Sequence, residues 1–128
     1  MGDQLSHTEL ERRDAFARRW LNDLLAAHPD VDTEAVGFHV KLTQRGKWIG
    51  WYMRDHHGDG RISMVLRCEP DRRHVLEAVH PETFGGVPYV GKRPRIGAWL
   101  DHDAVAWDSI EDVFASAVRA TAAKVRAR

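Results

Sequence analysis

Apolar residues recur along positions 8–27 with a helical period. Phe16, Trp20 and Leu24 repeat every four residues, and Ala17, Leu21 and Leu25 flank them. This spacing predicts an amphipathic helix with one wide apolar stripe. Two capping boxes compete at its start, Ser6 with Glu9 and Thr8 with Glu11. Pro29 ends the pattern, and a polar connection follows. Over 36–43 the period becomes two: Val36, Phe38, Val40 and Leu42 point one way, and His39, Lys41 and Thr43 the other. Arg45-Gly46 turns the chain into a second strand over 47–54. That strand is apolar on both sides, with Trp48 and Tyr52 on one and Ile49, Trp51 and Met53 on the other. A polar turn at 55–60 leads to a third strand over 61–67. There Ile62, Met64 and Leu66 point inward, and Arg61, Ser63, Val65 and Arg67 outward.

Residues 70–79 predict a short helix that starts on Pro70 and packs through Val75, Leu76 and Val79. A loop dense in glycine and proline follows His80-Pro81, and then a strand through Ile96, Ala98 and Leu100 as part of a late hairpin. Asp108, with Glu111 three residues on, caps a last helix whose stripe is Ile110, Val113, Phe114, Ala117, Val118 and Thr121. The order is α-β-β-β-α-β-β-α. Short links favour antiparallel pairing, and the helix stripes need one sheet face to cover. The predicted fold is therefore α+β: a two-layer architecture with a five-stranded antiparallel sheet and its helices packed on one face. Trp20 and Phe114 are expected to lie buried on that same face. The length of 128 residues suits one domain over 1–128, with frayed ends at 1–7 and 120–128.

Composition narrows the class. The start is polar and no apolar run reaches membrane-spanning length, so neither a signal peptide nor a membrane span is expected. The single cysteine, Cys68, has no internal disulfide partner, which fits a reducing cytoplasm. A formal net charge of zero argues against a strong nucleic-acid binder. The distribution is uneven, however: −4 over 1–40, +5 over 41–100 and −1 over 101–128. A basic middle permits a local basic face.

Few patterns suggest chemistry. There is no Gly-x-Ser-x-Gly elbow and no phosphate loop. Glu69 beside Cys68 would raise the thiol pKa, so a buried structural cysteine is expected. Asp55, His56, His57 and Asp59 lack a second ligand pair, and adjacent strand-end histidines should point apart. A solvated turn without metal is expected there. Arg12, Arg13, Arg18 and Arg19 read as a solvated helix face. What remains is the sheet face away from the helices, with His39, Lys41, Arg61, Ser63, Val65, Arg67, Arg95 and Trp99, and the 88–95 loop with Tyr89, Lys92 and Arg93. Cations around aromatic rings track phosphates and stack bases. The same pattern suits a dimer interface, a small-ligand site, or cover by the C-terminal segment. Lys92 and Arg93 also read as a solvated loop tip.

Several motifs carry a resemblance. A helix ends in His80-Pro81, and the loop Pro88-Tyr89-Val90-Gly91-Lys92-Arg93 follows. A strand closes on Leu100-Asp101, and Trp107-Asp108 opens the last helix. With Cys68-Glu69-Pro70 and Gly46-Lys47-Trp48, the chain after its first helix resembles the MmcQ/YjbR family of small bacterial proteins. That family usually has a Gly-Trp pair just after the Lys-Arg. Here Pro94-Arg95 stands in that place, so no role is carried over for that tryptophan. The resemblance implies a two-layer fold akin to secretion chaperones and a DNA-binding label. The expectation is a cytoplasmic, non-enzymatic domain without cofactor or metal. It would bind DNA through Lys41, Arg67, Tyr89, Lys92, Arg93, Arg95 and Trp99. The alternative is a homodimeric protein-interaction domain or a small-ligand domain using the same face.

Overall fold

The computed structural model describes residues 6–126 apart from 89 and 92, and only the backbone of 123–126. Four helices, α1 (His7–Ala26), α2 (Pro70–Val79), α3 (Pro81–Phe84) and α4 (Trp107–Arg126), accompany five strands. These are β1 (Asp32–Val36), β2 (His39–Gln44), β3 (Lys47–Arg54), β4 (Ile62–Arg67) and β5 (Arg95–Trp99). The strands form one antiparallel sheet in chain order. The α+β class and the five antiparallel strands are as the sequence predicts.

The order of elements differs. Four strands precede α2, and one follows α3. The additional early strand is β1, a polar edge strand whose five residues are all exposed. Gly37, at φ +61, lets the chain reverse between β1 and β2 within two residues. The late hairpin does not form. Asp101 instead turns its carboxylate back to accept from the Ile62 N–H at 2.9 Å, and residues 101–106 bend away toward α4.

One core lies between the sheet and the helices. It joins Leu10, Ala17, Leu21 and Leu24 of α1, Phe84 of α3, and Ile110, Val113, Phe114 and Ala117 of α4. They meet Leu42, Tyr52, Ile62, Met64, Leu66, Ile96 and Ala98 of the sheet. Phe114 is fully buried, whereas Trp20 is half-buried at the margin, its ring 4.8 Å from Trp107 and its Nε1–H donating to Glu111. The buried line on α1 is Leu10, Asp14, Ala17, Leu21 and Leu24, one position round from the expected aromatic stripe, and Phe16 is 53% exposed. Of the two capping boxes, the Ser6 one forms: its hydroxyl accepts from the Glu9 N–H at 3.1 Å. On α2 the expected apolar side is wrong. Val75 and Val79 face outward, and only Leu76 packs on the core. Arg72 donating to Ser116 and Arg73 donating to the Gly91 and Arg95 carbonyls set that rotation. At the C-terminal end, the α4 backbone runs as helix to Arg126.

A bulge changes the faces of β3. Register shifts between Leu42 and Thr43, so that Leu42 pairs with Gly50 and Thr43 with Trp48. Ile49 is the extra residue, and it joins the core with Tyr52. Trp48 is thereby released to the opposite face, with Trp51 and Met53. This reverses the expected placement of Trp48 and Ile49.

Candidate functional site

Pairing register orders the sheet face away from the core into rows. One row runs Glu34, Lys41, Trp51, Val65 and Gly97. A second runs Asp32, Thr43 and Trp48 toward Arg67 and Arg95. A third brings Val36 and His39 toward Met53, Ser63 and Trp99. Acids lie at the β1 margin, and arginines at the β4–β5 corner.

The described residues of the 85–94 loop, without 89 and 92, cross the β5 side of this face as a strap. Val87 and Val90 are buried in a small cluster with Trp99. Gly97 permits this close approach, since a Cβ there would collide with both valines. Pro94 extends the ladder by accepting from the Cys68 N–H at 3.0 Å. Arg73 ties the strap from behind through the Gly91 carbonyl. Trp99 is thus no stacking platform: it is 8% exposed, and the Arg61 guanidinium sits 3.8 Å from its ring centre. Arg61 is itself held by a bidentate pair with Asp101.

The other expected contact residues separate into three groups. Tyr89 and Lys92 lie outside the described residues. Lys41 is half-buried directly opposite Glu34. Arg67, Arg93 and Arg95 gather at one corner. Arg67 and Arg95 are direct cross-strand partners, and Arg93 is exposed beside them in the strap. Like charges directly opposite in a ladder destabilise it. Arg95 stacks 4.6 Å above the Trp48 ring centre, while Arg67 Nε donates to the Trp48 carbonyl at 3.2 Å. Among the described residues none of these three arginines reaches a carboxylate. Arg95 Nε is buried without a hydrogen-bond partner among them. Burial, then the charges of Arg93 and Arg67, pull the Arg95 guanidinium below its ordinary pKa.

Beside Arg95 the face is concave. A cleft of about 280 Å³ is lined by Trp51, Met53 and Val65, with His39 and His56 on one wall and Arg95 on another. His39 Nδ1 accepts from the Arg54 N–H at 3.2 Å, and its Nε2 lies 3.4 Å from His56 Nδ1. The neutral His39 ring therefore carries its proton on Nε2. The turn differs from a simple solvated one. Left-handed backbone at Asp55 and His57 brings the His56 and His57 ring centres to 4.0 Å, tilted at 47°, where they were expected to point apart. Burial, then His57 and His39, hold the His56 pKa low. Among the described residues no group of three or more His, Cys, Asp or Glu is gathered for a metal.

Two ionisable side chains are held in their neutral forms by the core. Burial pushes the Cys68 thiol up, with Glu69 a lesser contributor in the expected direction. Burial also pushes the Tyr52 phenol up, and its hydrogen bond to Asp14 at 2.6 Å adds to this. Asp14 is the residue that sequence reasoning missed. It accepts from Tyr52, Arg18 and Arg54 together, so the expected solvated arginine face of α1 is partly an internal network. An acid four residues before Arg18 and three before Ala17 was the available signal.

No described helix is long and apolar enough to cross a membrane. Compared with known proteins, the chain matches no family model, no curated protein and no solved structure.

Proposed function

We propose that this chain is a non-enzymatic, cytoplasmic binding domain that takes nucleic acid on its open sheet face. The observation that carries the reading is the arginine corner. Arg67 and Arg95 face each other across the ladder with Arg93 beside them, and no described carboxylate neutralises them. An anion from outside would relieve that repulsion, and phosphates are the natural class for several guanidiniums on one edge. Trp51 on the same face supplies a half-buried indole. The motifs that resemble the MmcQ/YjbR family, and that family's DNA-binding label, lean the same way.

The test is a titration of labelled single-stranded and duplex DNA at several salt concentrations, with wild type and an Arg93→Ala/Arg95→Met variant. Each phosphate contact removed should lower the salt slope by about one. Absence of wild-type binding at low salt refutes the reading.

A second reading rests on a separate observation. Asp32 and Glu34 lie at the opposite margin of the same face. In a two-fold, face-to-face dimer they would meet the partner's arginine corner. A salt-sensitive dimer in sedimentation, dissociated by Trp51→Ala and indifferent to nucleic acid, would select this reading.

A further inference from the structure

The geometry points to the cleft beside Arg95 as a receptor for one unpaired nucleobase, with the strand's phosphate held at the arginine corner. This inference rests on the reading of the open face as a nucleic-acid site, and it names the form of nucleic acid that fits.

Size is the first argument. At about 280 Å³ the cleft falls just below the usual range of small-molecule pockets, which begins at about 300 Å³. It suits one ring system rather than a large ligand. A small hollow of about 60 Å³ near Cys68 is too narrow for any base.

Lining is the second. Val65 is 2% exposed and Met53 is 5% exposed, so the floor is apolar and set into the sheet. Trp51 is half-buried at its side and offers an indole for stacking. Trp48 is already covered by the Arg95 guanidinium. The imidazoles of His39 and His56 make that wall polar, with both His39 ring nitrogens engaged by the Arg54 N–H and by His56.

Charge is the third. Arg95 belongs both to the cleft and to the arginine corner, so a base in the cleft has its own phosphate within reach of that corner. A second cleft, on the helix side between Phe16 and Trp107, also contains arginines. There Arg12 and Arg13 are paired with Glu9, and Arg13 with Asp103, while Arg19 lies 5.9 Å from the Phe16 ring centre, so most of that charge is met internally.

A base paired and stacked inside a duplex has no path into such a cleft. It enters from a single strand, or only after being swung out of the stack. Single-stranded DNA and single-stranded RNA present this same chemistry.

The experiment uses the full chain with labelled oligothymidine, labelled oligouridine and a labelled duplex of equal length. Thymidine monophosphate serves as a competitor. Val65→Phe and Met53→Phe each fill the cleft from the floor, and a thermal melt confirms which of them folds. Either single strand should bind about tenfold more tightly than duplex, and which one binds more tightly names the strand. A folded filling variant should lose about tenfold toward the single strand and keep its weak duplex affinity. Thymidine monophosphate should quench Trp51 and compete with the strand.

Equal affinity for duplex and single strand overturns the inference while leaving the nucleic-acid reading in place. So does single-strand binding that a folded filling variant leaves unchanged. Monophosphate binding without any oligonucleotide binding removes the nucleic-acid reading and, with it, the inference that rests on it. If no probe binds, both fall.

Discussion

On the helix side of the sheet, Arg18 and Arg54 converge on Asp14, and Arg54 also reaches Glu11. On the other side, Arg67, Arg93 and Arg95 converge on one another. The first group lies in a hydrogen-bonded network around a carboxylate whose side chain is 8% exposed. It joins α1 to β3, because Tyr52 donates into the same carboxylate from the sheet. The second group crosses a ladder with repulsion left in place. A fold can satisfy arginines where it needs them as struts. Where it leaves them crowded beside an indole, with no described carboxylate in reach, the charge is available to something else.

The largest way to break this contrast is at its structural end. Replacing Asp14 with Ala leaves two guanidiniums and a buried phenol without their shared acceptor. We expect a loss of about 3–5 kcal/mol in urea unfolding, the range for removing one partner of a buried pair. Nucleic-acid affinity of the protein that remains folded should be unchanged, since nothing on the open face is touched. A loss under about 1 kcal/mol would place Asp14 in effectively solvated surroundings and dissolve the distinction.

The next effect lies in the strap. Gly97→Ala puts a Cβ into Val87 and Val90. Overpacking of this kind costs about 1–3 kcal/mol, and here relief comes from lifting the loop. The expected signature is a modest fall in stability with increased amide exchange across 85–94, and no change in exchange on α1. Uniform change across both regions would mean that the strap and the helix layer are one cooperative unit.

Much of this contrast was readable in the residues, and some was not. The alternation of β4 placed Ile62, Met64 and Leu66 inward correctly, because a strand paired on both sides without a bulge keeps its period. Lys41, Arg67 and Arg95 were placed on one face because each lies in a stretch that keeps its period of two. β3 was misread at Trp48 and Ile49, because a bulge is set by how two strands fit together and leaves no period-two trace in either. β1 was missed because Asp32, Thr33 and Glu34 look like a loop, and an exposed edge strand has no apolar face to reveal it. Asp14 was invisible to an apolar count, since its burial depends on partners from β3 and α1 arriving together. The strap and the cleft depend on Gly97, whose missing side chain makes room for residues seven and ten positions earlier.

Arg95→Met sharpens the contrast from its functional end, with a smaller effect of opposite sign. The substitution loses a cation–π contact with Trp48 of about 0.5–1 kcal/mol. It also removes a buried unpartnered Nε, worth about 1–3 kcal/mol, and a like charge opposite Arg67. The net expectation is stabilisation by about 1 kcal/mol in urea unfolding, accompanied by weaker nucleic-acid binding. A gain in stability with a loss of binding is what separates a functional charge from a strut. Destabilisation would assign Arg95 to the scaffold.

The smallest effect concerns acid, and it tests whether the two sides respond differently to pH. His102 Nδ1 accepts from the Ala104 N–H at 3.2 Å, so the neutral ring carries its proton on Nε2, which faces Thr83 Oγ1 at 3.2 Å. A second proton on Nδ1 would oppose the Ala104 N–H. Burial holds the His102 pKa below its ordinary value of 6.5, and the nearby Arg61 and Arg13 charges add to this; Asp101 and Glu82 act in the opposite direction. The folded chain therefore binds a proton less readily than the unfolded one. This contribution to stability is complete above the unfolded value and is lost as pH falls from there through the lowered folded value. His56, lowered by its burial and its histidine neighbours, carries the same sign on the open face. Urea midpoints should thus decline between about pH 7.5 and 5.5, above the range where most carboxylates titrate. His102→Asn should flatten part of that decline, and His56→Asn a separate part, with the two effects adding because the rings sit in separate turns at 101–106 and 55–60. A midpoint that rises with acid over this window would require both rings to gain stabilising contacts on protonation, against the Arg61 and Arg13 charges near one and the histidine neighbours of the other.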